Sequence, residues 1–582
     1  MKRYIINLML AVAATACLTS CNDFLKEDPS SQIKEDEAYK NETELYLNAV
    51  AALYNNVGGH NDSEGLQGTA RGVYDLNEFT TDEAILPTRG ADWYDGGLWQ
   101  NLFRHSWGTG TDCIGDTWKY LFKSIIMCNS ALEHIDAYAK AHGQSDNTAY
   151  WRYEARALRA MFYFYAIDLY GRLPLYSTSH PTVAQMQLQE RSTVYKHIVD
   201  ELQDCAAHLT GERSNWQGKY YGRINAATCY FLLAKLMLNA EVYSDDDWTD
   251  GVRPSGSNIY FNIDGRQLNA WQATEHYCDL IAGMGYRLED DYTANFAVHN
   301  EKSRENIFVI PMDKYLYQNQ FKYLFRSRHY NHAAALGLNG ENGSSATIEA
   351  MKTFGYGTDT ADARLAMSYY CDQVRDLNGR MVTLDDGTPL KYYPMAVKLD
   401  LSGDPHEKTA GARMKKYEVD PTGTKDGNQS DNDIVLFRYA DVLLMRAEAL
   451  AQQNKTAEAI ALVNQIRSRA ATSTQMISNY PSRYGVKLYC KNYTGSYSKE
   501  QTMKIVKMER RLELAMESER FLDLVRWGEA ATVLNAYYAV EKSKCNIYEE
   551  AKFTPNKNEY LPIPYQQVSA ANGNYKQNCG NW

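Results

Sequence analysis

The 582-residue sequence lacks the residue spacings that mark most metal, nucleotide and hydrolase sites. Its 11 cysteines include no Cys-x-x-Cys pair and no tight cluster with the 12 histidines, so no zinc site of the usual spacing is expected. His329 and His332 lie three positions apart without companion ligands, and there is no His-Glu-x-x-His. Neither a phosphate-binding loop nor a Gly-x-Ser-x-Gly turn occurs. We therefore expect no metal and no cofactor.

Positive charge and long apolar runs are also scarce. Lys and Arg number 61 against 72 Asp and Glu, and the formal charge of −11 disfavours nucleic acid as a partner. The one long apolar run is at the N-terminus, which disfavours a multi-span membrane protein. Phe is scarce beside other rings, with 16 Phe against 45 Tyr and 10 Trp. Amphipathic rings in such number suit a wet surface that stacks on polar ligands.

The N-terminus has the features of an export signal. A basic segment, Met1–Arg3, precedes an apolar stretch from Ile5 to Leu18 that is too short for a comfortable membrane span. The stretch ends in Leu-Thr-Ser-Cys, which resembles the bacterial lipobox, so residues 1–20 are predicted to be a lipoprotein signal peptide. Cys21 would then be diacylated and anchor the chain to a bilayer. An ordinary secretory signal remains the alternative.

Apolar periodicity predicts helices at both ends of the chain. Ala155, Leu158, Phe162 and Leu169 fall on one helical face, and Gly171 ends the pattern. Further helices are predicted over about 44–56, 112–140, 190–209, 223–243, 268–284, 432–452 and 455–470. The pattern breaks down in two irregular stretches, 57–111 and about 285–430.

The last two predicted helices form a hairpin rich in small residues, which resembles a tetratricopeptide unit. The expected fold is therefore mainly α, with tetratricopeptide-like helical hairpins as a scaffold and long irregular insertions that carry the binding surface. We expect one unit over 21–582, with a helical part over about 40–284, an irregular insertion over about 285–430 and a second helical part over about 431–582. Cysteines 128, 205, 229 and 278 lie in helical patterns and are expected to be buried, and no disulfide is predicted.

Four segments in a fixed order carry a family resemblance. They are Glu-Ala-Arg-Ala-Leu-Arg-Ala to Leu-Tyr-Gly-Arg-Leu-Pro over 154–174; Phe-Arg-Tyr-Ala-Asp to Asn-Gln-Ile-Arg over 437–467; Glu-Arg-Arg-Leu-Glu-Leu to Arg-Trp-Gly over 509–528; and Leu-Pro-Ile-Pro to Gln-Asn-Cys-Gly over 561–580. Together with the lipobox they resemble the SusD/RagB family, surface glycan-binding lipoproteins of Bacteroidetes. Cys579 departs from the residue usual in the family.

The resemblance implies a lipid-anchored protein of the outer membrane that faces the cell exterior. It further implies an oligosaccharide ligand and a SusC-like TonB-dependent transporter as partner, over which the protein would sit as a lid. Two other functions stay open at this point. One is a tetratricopeptide-like scaffold that binds protein or peptide, and the other is a cell-surface glycoside hydrolase.

A loop over 80–101 combines rings, charges and glycines and is the expected centre of the binding site. Sugars stack their C–H faces on flat rings and pair their hydroxyls with donors and acceptors. The predicted ligand-binding residues are the ring platform Trp93, Tyr94 and Trp99, the hydrogen-bonding residues Arg71, Arg89 and Asn101, and, by resemblance, Tyr323, His329 and Tyr330 of the insertion. Alternatively, Trp93 and Trp99 are core rings, and Arg71 and Arg89 pair with Asp75, Asp82 or Asp92.

An acidic and basic cluster near the C-terminus is the remaining candidate for chemistry. Glu509, Arg510, Glu513, Glu517 and Arg520 lie three or four positions apart, which predicts ion pairs along one helix. The alternative is the carboxylate pair of a glycoside hydrolase. Adjacent arginines would hold these acids ionised, which favours the structural interpretation and a protein that is not an enzyme.

Overall fold

A computed structural model describes residues 35–316, 326–425, 429–472, 490–545, 550–578 and 582. Cys21, Tyr323 and Cys579 lie outside the described residues. The longer helices are α1 (Asp112–His142), α2 (Asp146–Tyr170), α3 (Arg191–Ala206), α4 (Ala226–Leu238), α5 (Ala270–Gly283), α6 (Tyr439–Gln452), α7 (Thr456–Thr472), α8 (Lys499–Glu513) and α9 (Ala530–Glu541).

Shorter helices lie at Glu35–Ala38, Glu42–Leu45, Ala52–Gly58, Val73–Glu78, Leu98–Phe103, Ala240–Tyr243, Tyr330–Ala335, Ile348–Thr353, Arg364–Ser368, Arg520–Arg526 and Tyr565–Ala570, with a π-helix at Tyr46–Ala51. The strands form two-stranded antiparallel ladders, which pair Ala84–Ile85 with Ser345–Ala346, Leu173–Pro174 with Leu188–Gln189, Tyr260–Ile263 with Arg266–Asn269, Asn306–Ile310 with Ile434–Arg438, Tyr369–Tyr370 with Arg413–Met414, and Asp372–Gln373 with Lys391–Tyr392.

Local sequence explains where α2 begins and ends. Ser145 caps its first turn in a reciprocal capping box with Thr148, so the helix starts nine residues before the first periodic residue, Ala155. Gly171, with φ +74°, closes it at the C-terminal end. The predicted C-terminal boundary is confirmed, and the helix is longer at its N-terminus because a polar capping signal carries no apolar periodicity.

The long helices α1 to α8 form one layered stack. In sequence order α1 packs on α2, α2 on α3, α3 on α4, α4 on α5, α5 on α6, and α6 on both α7 and α8. Each helix buries an apolar face against its neighbours, as in tetratricopeptide-like stacks. The predicted mainly α scaffold of helical hairpins is therefore confirmed. In the described part of the chain, no helix has both the length and the apolar character needed to span a bilayer.

One predicted helix boundary is wrong. The stretch 432–438 was expected to begin the helix over 432–452, but Ile434–Arg438 is a strand paired with Asn306–Ile310, and α6 starts at Tyr439. A short run of consecutive apolar residues fits a buried strand as well as a helix, and its partner strand is more than 120 positions away.

The stretch over 57–111 is more ordered than the sequence indicated. It contains the short helices Val73–Glu78 and Leu98–Phe103, and most of 66–90 is buried. Ala84–Ile85 pairs with Ser345–Ala346, which lies in the irregular insertion. This ladder brings the loop over 80–101, here called the aromatic loop, next to the insertion, and it thereby positions the candidate site described below.

A buried ion-pair network joins the insertion to the C-terminal helices, and it differs from the predicted arrangement. Glu513, fully buried at the end of α8, pairs with Arg364 at 3.1 Å, with Arg438 at 2.8 Å and with Arg469. Further pairs are Glu509 with Arg364 and Arg467, Glu517 with Arg438 and Lys416, Arg510 with Asp441 and Asp523, and Arg520 with Asp82.

The five residues predicted to pair along one helix therefore pair with other segments instead. The physical reason is that α8 ends at Glu513, so Glu517 and Arg520 leave its face. Burial alone would raise the pKa of Glu513, but Arg469, Arg438 and Arg364 outweigh it and hold that pKa well below its usual range. Acids that are buried and bound to arginines are poor candidates for the hydrolase carboxylates considered above.

Most cysteines that the structure describes lie in the core. Cys113, Cys128, Cys205, Cys229, Cys278, Cys371 and Cys490 are buried, Cys545 is half-buried, and none of these eight forms a disulfide. Four of them are the cysteines that helical patterns placed in the core. Within the described ranges, no group of three or more His, Cys, Asp or Glu is placed to hold a metal ion.

Candidate functional site

A shallow cleft of about 550 Å³ lies where the aromatic loop meets the insertion. Its lining residues are Asp62, Ala70, Arg71, Ala91, Asp92, Trp93, Asp95, Trp99, Tyr330, Gly340 and Glu341. We call this cavity the aromatic cleft. Four of the predicted binding residues line it: Arg71, Trp93, Trp99 and Tyr330.

Trp93 is the half-buried ring of the aromatic cleft. Its backbone has φ +62°, and its indole N–H donates to the carbonyl oxygen of Glu341 at 2.7 Å. A Cβ at Gly343 would lie 2.8 Å from Cε2 of Trp93, so a glycine there lets the insertion approach the ring closely. The ring is thus fixed on one side by the insertion while it lines the cleft, which is the arrangement a stacking platform needs.

Trp99 is a core ring. It is 1% exposed, its indole N–H donates to Oδ2 of Asp95 at 2.8 Å, and its ring meets Phe79 edge to face at 5.9 Å. The centroid of Trp93 lies 6.1 Å away. Trp99 therefore supports Trp93 from below rather than offering a stacking face, so the alternative interpretation applies to this ring.

Arg71 stands at the rim, paired with acids other than those expected. Its Nη2 lies 2.9 Å from Oδ2 of Asp95 and its Nη1 lies 3.8 Å from Oδ2 of Asp62. The side chain is 40% exposed, so its remaining donors face water and are accessible to a ligand. Asp75 instead accepts from the backbone N–H of Arg71 at 2.6 Å and pairs with buried Arg326.

Tyr330 brings the insertion into the site. Its hydroxyl donates to Oδ2 of Asp92 at 2.6 Å, and Nζ of Lys408 donates to the same oxygen at 2.9 Å. The Tyr330 hydrogen bond, with Lys408, lowers the pKa of Asp92 despite its partial burial. Burial and the Asp92 carboxylate raise the pKa of Tyr330 to about 12. At neutral pH, Asp92 is therefore an ionised acceptor and Tyr330 a neutral donor.

Arg89 and His329 are buried beneath the cleft, which contradicts their assignment as ligand contacts. Arg89 is 0% exposed and donates to the carbonyl oxygens of Glu407 at 2.9 Å and Ala410 at 3.0 Å. His329 is 5% exposed, and its Nδ1 accepts from the backbone N–H of Asn331. Burial, with Arg413 and Arg89 nearby, lowers the pKa of His329 to about 4, so its ring is neutral. Both residues hold the local fold.

Tyr94 and Asn101 lie outside the lining of the aromatic cleft. Tyr94 is 54% exposed, one position after Trp93. The amide oxygen of Asn101 accepts from Nη2 of Arg104 at 2.8 Å, so this side chain is hydrogen-bonded to a residue three positions further along the chain. Neither placement brings these two side chains to the rings and charges described above.

None of the acidic residues that line the cleft was predicted from the sequence as a ligand-binding residue. Asp92 and Asp95 lie within the loop over 80–101, whereas Asp62 precedes that loop in the sequence and Glu341 follows it. No periodicity or motif marks Glu341, because it reaches Trp93 through a backbone carbonyl. Rings, a neutral hydroxyl donor and ionised acceptors together suit a polyhydroxylated ligand.

Two family models together match most of the chain. A family model described as the SusD family matches residues 297–582, and one described as starch-binding and associating with the outer membrane matches residues 24–238. The chain is 24% identical to SusD-like protein P25 of Formosa agariphila, over 97% of this chain and 96% of that protein. It is 23% identical to the starch-binding protein SusD of Bacteroides thetaiotaomicron, over 70% and 72%.

A solved structure shares the fold. Surface glycan-binding protein A from Bacteroides thetaiotaomicron, in complex with laminarihexaose, superposes with a TM-score of 0.62 at 18% identity. The superposition covers 92% of this chain and 99% of that one.

Proposed function

The chain belongs to the SusD/RagB family, and from this premise we propose that it binds an oligosaccharide or polysaccharide in the aromatic cleft. The observation that supports this most directly is the half-buried Trp93, fixed by Glu341 and set beside the Tyr330–Asp92 pair. The names of the relatives, which are described as starch-binding and glycan-binding proteins, point the same way.

Each residue of the aromatic cleft has a distinct part in this proposal. The Trp93 ring stacks on the C–H face of a sugar. Arg71 donates to sugar hydroxyls, while Asp92 and Asp95 accept from them. Trp99, Arg89 and His329 keep these groups in place without contacting the ligand.

We propose binding without turnover. A general acid in a glycosidase needs a raised pKa, whereas Tyr330 and Lys408 lower the pKa of Asp92. A glycan array with purified mature protein tests the binding, and a reducing-end assay on every bound glycan tests turnover. Binding of peptides but no glycan contradicts the proposal in favour of a scaffold, and a rising reducing-end signal contradicts the non-enzymatic function.

The proposal includes a lipid anchor at Cys21. Thioether-linked diacylglycerol would hold the protein on the outer membrane far more durably than a single chain. We expect the wild-type protein to incorporate radiolabelled fatty acid and a Cys21→Ala variant to incorporate none. Cys17→Ala is the matched control, because Cys17 lies within the predicted signal and should leave labelling unchanged. Labelled Cys21→Ala protein contradicts the assignment.

The proposal also includes a SusC-like TonB-dependent transporter as partner. A bound glycan is of use to the cell only if a pore takes it up, and in the described part of the chain no helix is suited to span a bilayer. We expect affinity capture from detergent-solubilised outer membranes to recover a barrel protein of larger mass. Recovery of this chain alone, at both low and moderate salt, contradicts the partnership.

A further inference from the structure

A second cavity lies directly beside the aromatic cleft. It has a volume of about 480 Å³, and its lining residues are Tyr330, Asn331, Ala334, Ala335, Asp376, Met381, Val382, Thr383 and Asp385. We call it the hairpin cavity. Tyr330 lines both cavities, so the two meet at this one ring, which is 41% exposed.

The hairpin cavity has fixed walls. One wall is the short helix Tyr330–Ala335 and the other is the β-hairpin around residues 372–392. Nδ2 of Asn331 ties them together by donating to the carbonyl oxygen of Thr383 at 3.1 Å and to Oδ1 of Asp385 at 2.8 Å. Behind the hairpin, Val374, Val382, Leu390 and Tyr392 form their own buried cluster. Contacts within the fold therefore fix the shape of the cavity.

Most of the charged side chains that line the two cavities, among the described residues, are carboxylates. These six carboxylates are Asp62, Asp92, Asp95 and Glu341 in the aromatic cleft and Asp376 and Asp385 in the hairpin cavity. Arg71 is the one Lys or Arg in the two linings as far as the structure describes the chain. Lys408 and Arg380, just outside, pair with Asp92 at 2.9 Å and Asp376 at 3.0 Å. The described lining residues thus present six carboxylates and one guanidinium to a ligand, so the lining itself is acidic.

We propose that the glycan is an uncharged chain long enough to lie over both cavities across Tyr330. This rests on the proposed function and adds to it the class and the extent of the ligand. Neutral sugar hydroxyls donate to carboxylates, which are strong acceptors. A uronate or sulfate group would bring a further negative charge to a surface that already has an excess of them, and both repulsion and lost hydration would oppose binding.

Calorimetry with defined hexasaccharides tests the ligand class. The probes are neutral hexamers of glucose, mannose and xylose and a hexamer of galacturonic acid, each at low and high salt. We expect at least one neutral hexamer to bind with little salt dependence and the uronate to bind at least about ten-fold more weakly at low salt. Uronate binding as tight as that of the best neutral hexamer overturns the inference while leaving glycan binding intact.

The extent of the ligand is tested by filling the hairpin cavity. Ala334 is exposed and lines it, so Ala334→Trp should occupy the space without disturbing the core, and Ala335→Trp is a second variant of the same design. The matched control is Ala137→Trp, an exposed alanine of α1 that lines neither cavity. We expect the cavity variants to bind the neutral hexamer at least about ten-fold more weakly than the control.

The possible outcomes distinguish the two-cavity path from glycan binding itself. Cavity variants that fold, by circular dichroism, and bind like the control overturn the two-cavity path while glycan binding stands. A wild-type protein that binds no hexamer and no arrayed glycan overturns the proposed function, and this inference with it.

Discussion

Replacing Glu513 with glutamine is expected to lower the free energy of unfolding by about 3–5 kcal/mol, the usual cost of breaking a buried ion pair. The carboxylate is fully buried and is shared by Arg364, Arg438 and Arg469. A glutamine retains the shape but leaves the buried guanidinium groups with one counterion fewer. Denaturant unfolding of the wild type and the variant measures the difference.

The pH dependence provides an internal check on Glu513. The arginines hold the pKa of Glu513 well below the usual range. Its contribution to the free energy of unfolding is therefore fully present above the pKa of an unfolded glutamate, and it is lost as the pH falls through the lower pKa of the folded state. The difference in the free energy of unfolding between wild type and Glu513→Gln should therefore become smaller at acidic pH. Glu500→Gln, at the exposed start of α8, is the matched control and should change stability little. A Glu513→Gln protein as stable as this control at neutral pH contradicts the proposed role of the network.

Replacing Trp93 with alanine is expected to weaken glycan binding by about two- to twelve-fold. A ring contact contributes about 0.5–1.5 kcal/mol in aromatic pairs, and about 1.4 kcal/mol corresponds to a factor of ten in affinity. Calorimetry with the tightest-binding glycan measures the change, and circular dichroism establishes that the variant folds. Wild-type affinity is expected in the micromolar to millimolar range, since a ligand that is passed on must dissociate readily.

Two companion variants separate stacking from packing at Trp93. Trp93→Phe keeps a ring but loses the hydrogen bond to the carbonyl oxygen of Glu341, so it should retain more affinity than alanine. Tyr94→Ala removes an exposed ring outside the cleft lining and should have the smaller effect. If folded Trp93→Ala binds as tightly as the wild type, the ring is structural and the site lies elsewhere.

The sequence allowed the helical scaffold to be predicted because local periodicity determines it. The helix over 112–140 was predicted to within two residues of α1, and Gly171 marked the end of α2. The strand Ile434–Arg438 was assigned to a helix because its apolar run is ambiguous and its partner, Asn306–Ile310, is distant in sequence. Information about pairing across such distances is absent from a local pattern.

The same limit explains the outcome at the candidate site. Trp93, Arg71 and Tyr330 line one cleft, and the sequence could single them out because rings and charges concentrated in loops are a local signal. Arg89 and His329 have the same residue chemistry but are buried, and burial depends on what the rest of the chain places over them. The side-chain types of the site could thus be predicted from the sequence, but their exposure could not.

The buried cysteines have a consequence for the oxidation chemistry of the chain. A thiol reacts with oxidants and disulfides as the thiolate, and burial raises the pKa of Cys113, Cys205 and Cys490 to about 12. At neutral pH far fewer of these thiols are therefore ionised than of an ordinary cysteine, of which about three in a hundred are. In the unfolded chain the same sulfurs have ordinary reactivity. Folding itself, rather than cross-linking, therefore protects them, and any period spent unfolded in an oxidising compartment exposes them to mispairing.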